Sequence, residues 1–251
     1  MISFVIPAHN ESAEIGACLE AIHAAAQGVL VSGDSTGEQS GAGQRAYEVI
    51  VVDDASADDT AAIAEAQGAR VIRVEHRQIA ATRNAGAAQA RGDVLIFVDA
   101  DTHIDETVLR GALTALEAGA VGGGAGVRVD EELPASARYL LPAILAIWRR
   151  TGWAAGCFFY CRRADFEAVG GFDERYYASE EIHLSRALKR RGRFEVLKTP
   201  VLTSGRKWRL YTPKEQRRTM FRLLFGGFRV TRKREGLDLW YDGRRENKPR
   251  R

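Results

Sequence analysis

Two aspartates, Asp99 and Asp101, follow directly after the apolar run Val94–Val98 and form the most informative pattern in the chain. A buried strand that ends in Asp-Ala-Asp carries two negative charges to the rim of a sheet, where like charges a few ångströms apart repel. A cation between them would relieve this repulsion. A divalent metal that bridges a diphosphate fits best, because such metals prefer carboxylate and phosphate oxygens.

Polar residues also follow the first two apolar runs of the sequence. His9-Asn10-Glu11 comes after the run Ser3–Ile6, and Asp53-Asp54 comes after the run Val49–Val52. In a parallel sheet, ligands bind beyond the carboxyl ends of the strands. We therefore expect these two segments and the Asp99–Asp101 segment to converge on one ligand site.

The elements that must position these residues alternate between strands and helices. Apolar runs predict strands at Ser3–Ile6, Val49–Val52, Val71–Val74 and Val94–Val98, and helical periodicity predicts helices over residues 10–26, 58–67 and 79–90. The pattern favours an α/β fold with a mostly parallel central sheet and helices on both faces.

The second half of the chain is less regular. It predicts strands over residues 120–129 and 155–161, and helices over residues 107–118, 135–150, 163–169 and 180–191, the last of them capped by Ser179. Residues 28–45 are rich in Gly and Ser and are interpreted as a flexible insertion.

The composition limits the class of protein. With 251 residues, 45% of them hydrophobic, and a net charge of +3, the chain is long enough for one large α/β domain and too weakly charged to indicate nucleic-acid binding. The longest apolar stretch, Tyr139–Trp148, is far shorter than the ~20 residues that span a bilayer. We therefore expect a cytoplasmic protein that can act at the inner face of the membrane.

Several motifs together resemble glycosyltransferase family 2. PAHNE after the first strand, VVDDASADDT after the second, ATRNAG and FVDAD resemble the half of that family that binds the nucleotide sugar, and GGFDERYYASEEIHLSRALKRRG resembles its acceptor-side signature. The resemblance runs from about Ile2 to Gly192. It implies a GT-A (Rossmann-like) fold and a donor that is a nucleoside-diphosphate sugar, most commonly UDP- or GDP-linked.

The resemblance also implies roles for individual residues on the donor side. Asp54 would accept a hydrogen bond from the donor's base, and Arg83 would pair with phosphate oxygens. Asp99 and Asp101 would hold Mg²⁺ or Mn²⁺, with Asp101 as the more direct ligand, and the metal would stabilise the departing nucleoside diphosphate. The loop that cradles the base and ribose would contain Pro7, Ala8 and Glu11.

The residue expected to act as general base is Glu181, which would deprotonate the acceptor hydroxyl and give inversion at the anomeric carbon. The family signature is usually Glu-Asp, whereas this chain has Glu180-Glu181, and the extra methylene moves the carboxylate by about 1 Å. Two other functions stay open: a sugar nucleotidyltransferase and a non-catalytic module that binds nucleotide sugars. A Gly-rich loop typical of the former is not found after the first strand.

We divide the chain into a GT-A domain at 1–204, with a nucleotide-sugar half (1–105) and an acceptor half (106–204), and a basic, amphipathic, helical C-terminal extension at 205–251. A basic helix with aromatic residues can lie on an anionic membrane, or it can pack on the domain with a solvated basic face. The first possibility implies peripheral membrane contact and suits a carbohydrate or lipid-linked acceptor. Arg206 and Lys207 could instead approach the donor diphosphate.

Overall fold

The computed structural model describes residues 1–31, 46–129, 152–206, 210–237 and 241. Within these residues, eight strands form one sheet and seven helices surround it. The strands are β1 (Ile2–Ala8), β2 (Tyr47–Asp54), β3 (Arg70–Val74), β4 (Val94–Val98), β5 (Thr102–His103), β6 (Gly122–Val129), β7 (Phe158–Arg162) and β8 (Phe194–Thr203). The helices are α1 (Ile15–Val31), α2 (Thr60–Ala66), α3 (Ile79–Gln89), α4 (Glu106–Glu117), α5 (Arg163–Ala168), α6 (Glu180–Lys189) and α7 (Pro213–Val230).

The strand order of the sheet is β3-β2-β1-β4-β7-β6-β8-β5. The first four strands are parallel, β7 runs antiparallel to its neighbours β4 and β6, β6 and β8 are parallel, and the short β5 runs antiparallel to β8. The predicted α/β architecture with a mostly parallel sheet is confirmed.

Alternation along the strands divides the core into two layers. On β1, Phe4 and Ile6 pack into the layer that contains residues of α1 and α4, whereas Val5 packs into the layer that contains residues of α3 and α6. Every residue of β1 is buried. Continuous apolar strands of this kind need helices on both faces of the sheet, and the two layers supply them.

Helix boundaries depart from the sequence predictions at three places. Helix α1 begins at Ile15 rather than Asn10, and it continues to Val31, so that residues 28–31 are helical and not part of an insertion. Asn10 has a left-handed backbone (φ 53°), and its side chain accepts a hydrogen bond from the backbone N–H of Ala57 instead of starting the helix. Ser179 also has a left-handed backbone (φ 68°) and makes no side-chain cap to α6.

Some predictions lie outside the described residues. These are the helix over residues 135–150, which includes the apolar stretch Tyr139–Trp148, the rest of the insertion from residue 32 to residue 45, and Lys207. The predicted helix after Thr212 is confirmed as α7, which begins with a capping box between Thr212 and Glu215. No helix in the described parts of the chain is long and apolar enough to cross a membrane.

Two local features bring the polar ends of the strands together. The pairing of Thr102 with Thr203 joins β5 to the end of β8, so that the segment after β8 returns to the segment after β4. Helix α3 lies close to the sheet because residue 86 is glycine: a Cβ atom there would lie 2.4 Å from Val5 Cγ1 and 2.8 Å from Val52 Cγ2. The close approach sets the position of Thr82 and Arg83 on the same helix.

Candidate functional site

The carboxyl ends of β1, β2 and β4 meet at one rim, as the sequence predicts. Pro7 and Ala8 are the last residues of β1 and lie opposite Val52 and Asp53 of β2. His9 Nδ1 lies 2.6 Å from the backbone oxygen of Asp54, which ties the loop after β1 to the end of β2. The rim is therefore continuous from the first strand to the second.

The Asp54 carboxylate fixes the loop that leads into α3. It accepts hydrogen bonds from the backbone N–H groups of Arg77 (2.8 Å) and Gln78 (3.2 Å), and from the Thr82 hydroxyl (2.7 Å). A carboxylate has about four lone-pair positions, so about one is left for a ligand.

Its neighbour Asp53 belongs to a segment expected at the ligand site, but the family resemblance gave it no role of its own. Asp53 is only 6% exposed, and its Oδ1 atom has no hydrogen-bond partner in the described part of the chain. Successive residues of a strand point to opposite faces, so Asp53 and Asp54 face different sides of the sheet. A buried acceptor without a partner at the edge of a ligand rim is suited to an N–H group of a ligand.

Arg83 on α3 links the donor-side and acceptor-side motifs. Its Nη2 atom lies 2.7 Å from Asp99 Oδ1 and donates to the backbone oxygen of Gly156 (2.7 Å), while its Nη1 atom lies 2.6 Å from Glu180 Oε1. Burial works to lower the pKa of Arg83, but the charges of Asp99 and Glu180 outweigh it and raise that pKa. The guanidinium group stays charged and is already bound by protein oxygens.

The neighbouring Asn84 makes a second link between the same motifs. Its side-chain amide donates to the backbone oxygen of Phe172 (2.9 Å), and its Oδ1 atom accepts from the backbone N–H of Phe172 (2.9 Å). The ATRNAG motif therefore holds the GGFDE motif through both functional groups of one side chain, although the two are far apart in sequence.

Arg206 lies between Asp101 and Glu11. Its Nη2 atom lies 2.5 Å from the Glu11 carboxylate and 3.4 Å from Asp101 Oδ2, and the residue is 5% exposed. Burial works to lower the pKa of Arg206, but the charges of Glu11 and Asp101 raise it. The backbone N–H of Ser204 donates to the backbone oxygen of Asp101 (3.0 Å). This bond continues the β5–β8 pairing and brings Arg206 close to the Asp101 side chain.

Glu180 and Glu181 begin α6 but have different surroundings. Glu180 is buried against Arg83, and burial raises its pKa. Glu181 is half-buried, lies beside Gly156, and forms no ion pair within the described residues. Burial, together with the neighbouring charge of Glu180, raises the pKa of Glu181 to about 8. Glu181 is thus the more accessible carboxylate of the two, and its pKa is raised.

The two carboxylates expected to hold a metal have one oxygen each bound by a guanidinium group. Asp99 Oδ2 and Asp101 Oδ1 make no hydrogen bond or ion pair among the described residues. In that part of the chain, no group of three or more His, Cys, Asp or Glu side chains is arranged as a metal site. The two remaining oxygens suit a hard divalent cation, provided that phosphate and water complete its coordination.

The family model described as "Glycosyl transferase family 2" matches residues 3–173, which is more than half of the chain. The chain belongs to glycosyltransferase family 2. This glycosyltransferase has the predicted GT-A fold, and the motifs that carried the resemblance lie on the rim described above.

Solved structures support the same fold. S. aureus TarS 1–349 in complex with UDP-GlcNAc is 21% identical, with a TM-score of 0.59, and the match covers 81% of this chain and 58% of that one. The mannosyltransferase PcManGT from Pyrobaculum calidifontis, in complex with GDP-Man and Mn²⁺, is 18% identical (TM-score 0.63; 92% of this chain and 62% of that one). Glucosyl-3-phosphoglycerate synthase from Mycobacterium tuberculosis, in complex with Mn²⁺, UDP and glucosyl-3-phosphoglycerate, is 20% identical (TM-score 0.57; 98% and 81%).

This glycosyltransferase therefore spans about three fifths of the length of the first two of these structures. A comparison with curated protein sequences found no match. At these identities the likeness establishes the fold, and the choice of donor and acceptor has to be argued from the site itself.

Proposed function

We propose that the chain transfers a sugar from a UDP- or GDP-linked donor to a hydroxyl group of a carbohydrate or lipid-linked acceptor, with inversion at the anomeric carbon. The observation that carries the proposal is the bridge that Arg83 makes between Asp99 and Glu180. It supports the proposal because the aspartate expected at the diphosphate end of the donor and the glutamate next to Glu181 share this one guanidinium group. In this proposal the donor diphosphate and the base Glu181 lie on either side of the Arg83 guanidinium group.

Glu181 acts as the general base in this proposal. A carboxylate with a pKa near 8 is a much stronger base than an ordinary glutamate, and a base whose pKa lies near the working pH is the most effective. It accepts the proton of the acceptor hydroxyl while the hydroxyl oxygen attacks the anomeric carbon from the face opposite the nucleoside diphosphate. Because Glu180 is bound to Arg83, Glu181 is the residue of the pair that is available for this step.

The nucleoside lies at the other end of the rim. Pro7, Ala8 and the end of β2 would border the base and ribose, with Asp53 Oδ1 and the remaining acceptor position of Asp54 open to N–H groups of the base. The crystallised neighbours bind UDP and GDP-Man, and both bases carry a ring N–H that a carboxylate can accept. The donor half would be residues 1–105 and the acceptor half residues 106–204.

Mg²⁺ or Mn²⁺ is the cation proposed for Asp99 Oδ2 and Asp101 Oδ1. When bound, it would stabilise the negative charge of the departing nucleoside diphosphate. Among the described residues, Arg83 pairs with Asp99 and Glu180, and Arg206 pairs with Glu11 and Asp101. A diphosphate would add negative charge beside these carboxylates, and a divalent cation would offset it.

The test is to incubate the full chain with Mn²⁺ and a panel of UDP- and GDP-sugars, and to measure release of the nucleoside diphosphate and transfer to added acceptors. We expect release with one nucleoside class, loss of release in Glu181→Gln, and full activity in Glu167→Gln, which changes an exposed glutamate on α5. Production of pyrophosphate from a sugar phosphate and a nucleoside triphosphate would instead identify a nucleotidyltransferase. Binding of a donor without turnover would identify a binding module.

Contact with an anionic membrane is the second part of the proposal. Helix α7 exposes Lys214, Arg217 and Arg218 on the face that carries Phe221, which is 62% exposed, and Arg229 is exposed beyond the kink at Gly227. Basic side chains around an exposed aromatic ring suit the interface of an anionic bilayer. Sedimentation with phosphatidylserine vesicles should fall in Phe221→Ser and at high salt. Equal sedimentation with neutral phosphatidylcholine vesicles would contradict the electrostatic part.

A further inference from the structure

Arg206 is a second cation of the donor site, and its position conflicts with that of a metal. Its guanidinium group approaches Asp101 Oδ2 to 3.4 Å and Glu11 to 2.5 Å, and all three residues are buried. A divalent cation on the other oxygen of Asp101 would lie within a few ångströms of the guanidinium group. The two positive charges would then repel each other in a poorly solvated site.

The same guanidinium group has the chemistry to bind a diphosphate. Arginine binds phosphate oxygens in the same two-pronged geometry that it uses for carboxylates. The β5–β8 pairing holds the backbone of Ser204 to that of Asp101, so only the side chain of Arg206 has to move from the carboxylates to a phosphate beside them. A diphosphate is the ligand that can take this cation away from Asp101.

We propose that Arg206 couples the binding of the nucleoside diphosphate to the binding of the metal. Without a donor, Arg206 occupies Asp101 and weakens its affinity for the cation; when the diphosphate arrives, Arg206 binds a phosphate oxygen and frees Asp101 for the metal. Coupling of this kind is reciprocal, so the metal strengthens nucleotide binding by the same factor. The inference rests on the proposed function, because it needs a nucleoside diphosphate at this rim.

The test measures Mn²⁺ binding rather than turnover. Free Mn²⁺ is followed by electron paramagnetic resonance in titrations of the full chain, with and without UDP or GDP, for the original chain, Arg206→Met, and the control Arg73→Met. Arg73 is an exposed arginine that pairs with Glu65 away from the rim. We expect Arg206→Met to bind Mn²⁺ about tenfold more tightly than Arg73→Met when no nucleotide is present. We also expect the nucleotide to strengthen Mn²⁺ binding less in Arg206→Met than in the original chain.

Equal Mn²⁺ affinity of the two variants in the absence of nucleotide would overturn the inference. Arg206→Met removes the guanidinium group that Glu11 and Asp101 share, so Arg206→Lys serves as a second variant if the first does not fold. Its shorter side chain should give an intermediate Mn²⁺ affinity, and an affinity equal to that of the original chain would also count against the coupling.

Nucleotide binding, measured by thermal shift with Mn²⁺ and with a chelator, separates the inference from the proposed function. If UDP or GDP binds but Arg206→Met leaves Mn²⁺ affinity unchanged, only the coupling is wrong. If neither nucleotide binds under either condition, the proposed function fails and the coupling fails with it.

Discussion

Arg83 Nη1 and Glu180 Oε1 lie 2.6 Å apart in an ion pair that is almost fully buried. The pair joins α3, which leads from the donor side, to the first turn of α6, which carries the expected base. Glu180 therefore holds the start of α6 against α3. In the proposed mechanism its neighbour Glu181 would act as the base.

Replacement of Arg83 by methionine should be strongly destabilising. It leaves Asp99 and Glu180 without their shared cation, and removing one partner of a buried ion pair commonly costs about 3 kcal/mol. Urea denaturation should show a loss of about that size in the free energy of unfolding. The control Arg73→Met, at an exposed pair, should lose no more than about 1 kcal/mol. Losses of equal size in the two variants would contradict the structural role of Arg83.

The pH dependence of activity should report the Glu180–Glu181 pair. A base has to be ionised, so kcat/KM should rise with a midpoint at about pH 8 and level off at higher pH, where Glu181 is ionised. Glu180→Gln removes the neighbouring negative charge that raises the pKa of Glu181, and the midpoint of the profile should move to lower pH. The exposed variant Glu167→Gln should keep the original midpoint. A Glu180→Gln profile that moves to higher pH would mean that another group is the base.

Glu181→Gln should lower transfer about a hundredfold or more while donor binding is preserved, because general-base catalysis contributes about that much. Glu181→Asp installs the residue that is usual in the family, and it should recover part of the lost rate. Binding is read from thermal shift with donor and transfer from product formation. Loss of binding together with transfer in Glu181→Gln would indicate a structural role instead.

Asp101→Asn should weaken Mn²⁺ binding and remove metal-stimulated release of the nucleoside diphosphate. Amide substitution keeps the size of the side chain but removes the negative charge that favours a divalent cation. Asp93→Asn is the matched control, since the Asp93 side chain is 90% exposed and pairs only with the chain's N-terminal amine in the described structure. Metal-stimulated release that is unchanged in Asp101→Asn would exclude Asp101 as a ligand.

Asp53→Asn should mainly weaken nucleotide binding, whereas Asp54→Asn should mainly lower the free energy of unfolding. Asp53 Oδ1 has no hydrogen-bond partner among the described residues, so its amide variant should weaken binding of UDP or GDP with little change in the free energy of unfolding. Asp54 accepts three hydrogen bonds from the loop into α3 and from Thr82, so its variant should lower that free energy by about 1–3 kcal/mol. Thermal shift with and without nucleotide measures both effects. The opposite result would indicate that Asp54, and not Asp53, contacts the base of the nucleotide.

Whether the sequence predicts a contact of this site depends on how far apart the two residues lie along the chain. The apolar runs at Ile2–Ala8 and Val94–Val98 identify strands locally, because a parallel sheet buries them on both faces, and so the meeting of their polar ends is predictable. The electrostatic problem of Asp99 and Asp101 is also visible in the sequence. The sequence does not show that guanidinium groups offset this repulsion, because Arg206 lies 105 residues beyond Asp101 and is brought to it by the β5–β8 pairing.

Predictions from neighbouring residues are wrong where a side chain binds a residue far away in the sequence. Asn10 has the side chain of a helix cap, but it binds Ala57 across the rim, and so α1 starts later than expected. The different surroundings of Asp53 and Asp54 follow from the alternation of strand faces together with the approach of α3, and only the first of these is readable from the sequence.

The long reach of Arg206 has a consequence for the order in which the charged rim is completed. Synthesis from the N-terminus produces Glu11 and Asp101 well before their partner Arg206, which lies 195 residues after Glu11. Until the ribosome has made β8 and that strand has paired, the nascent chain carries these carboxylates without Arg206. The docking of β8 therefore offsets part of the negative charge that the nascent sheet carries at Glu11 and Asp101.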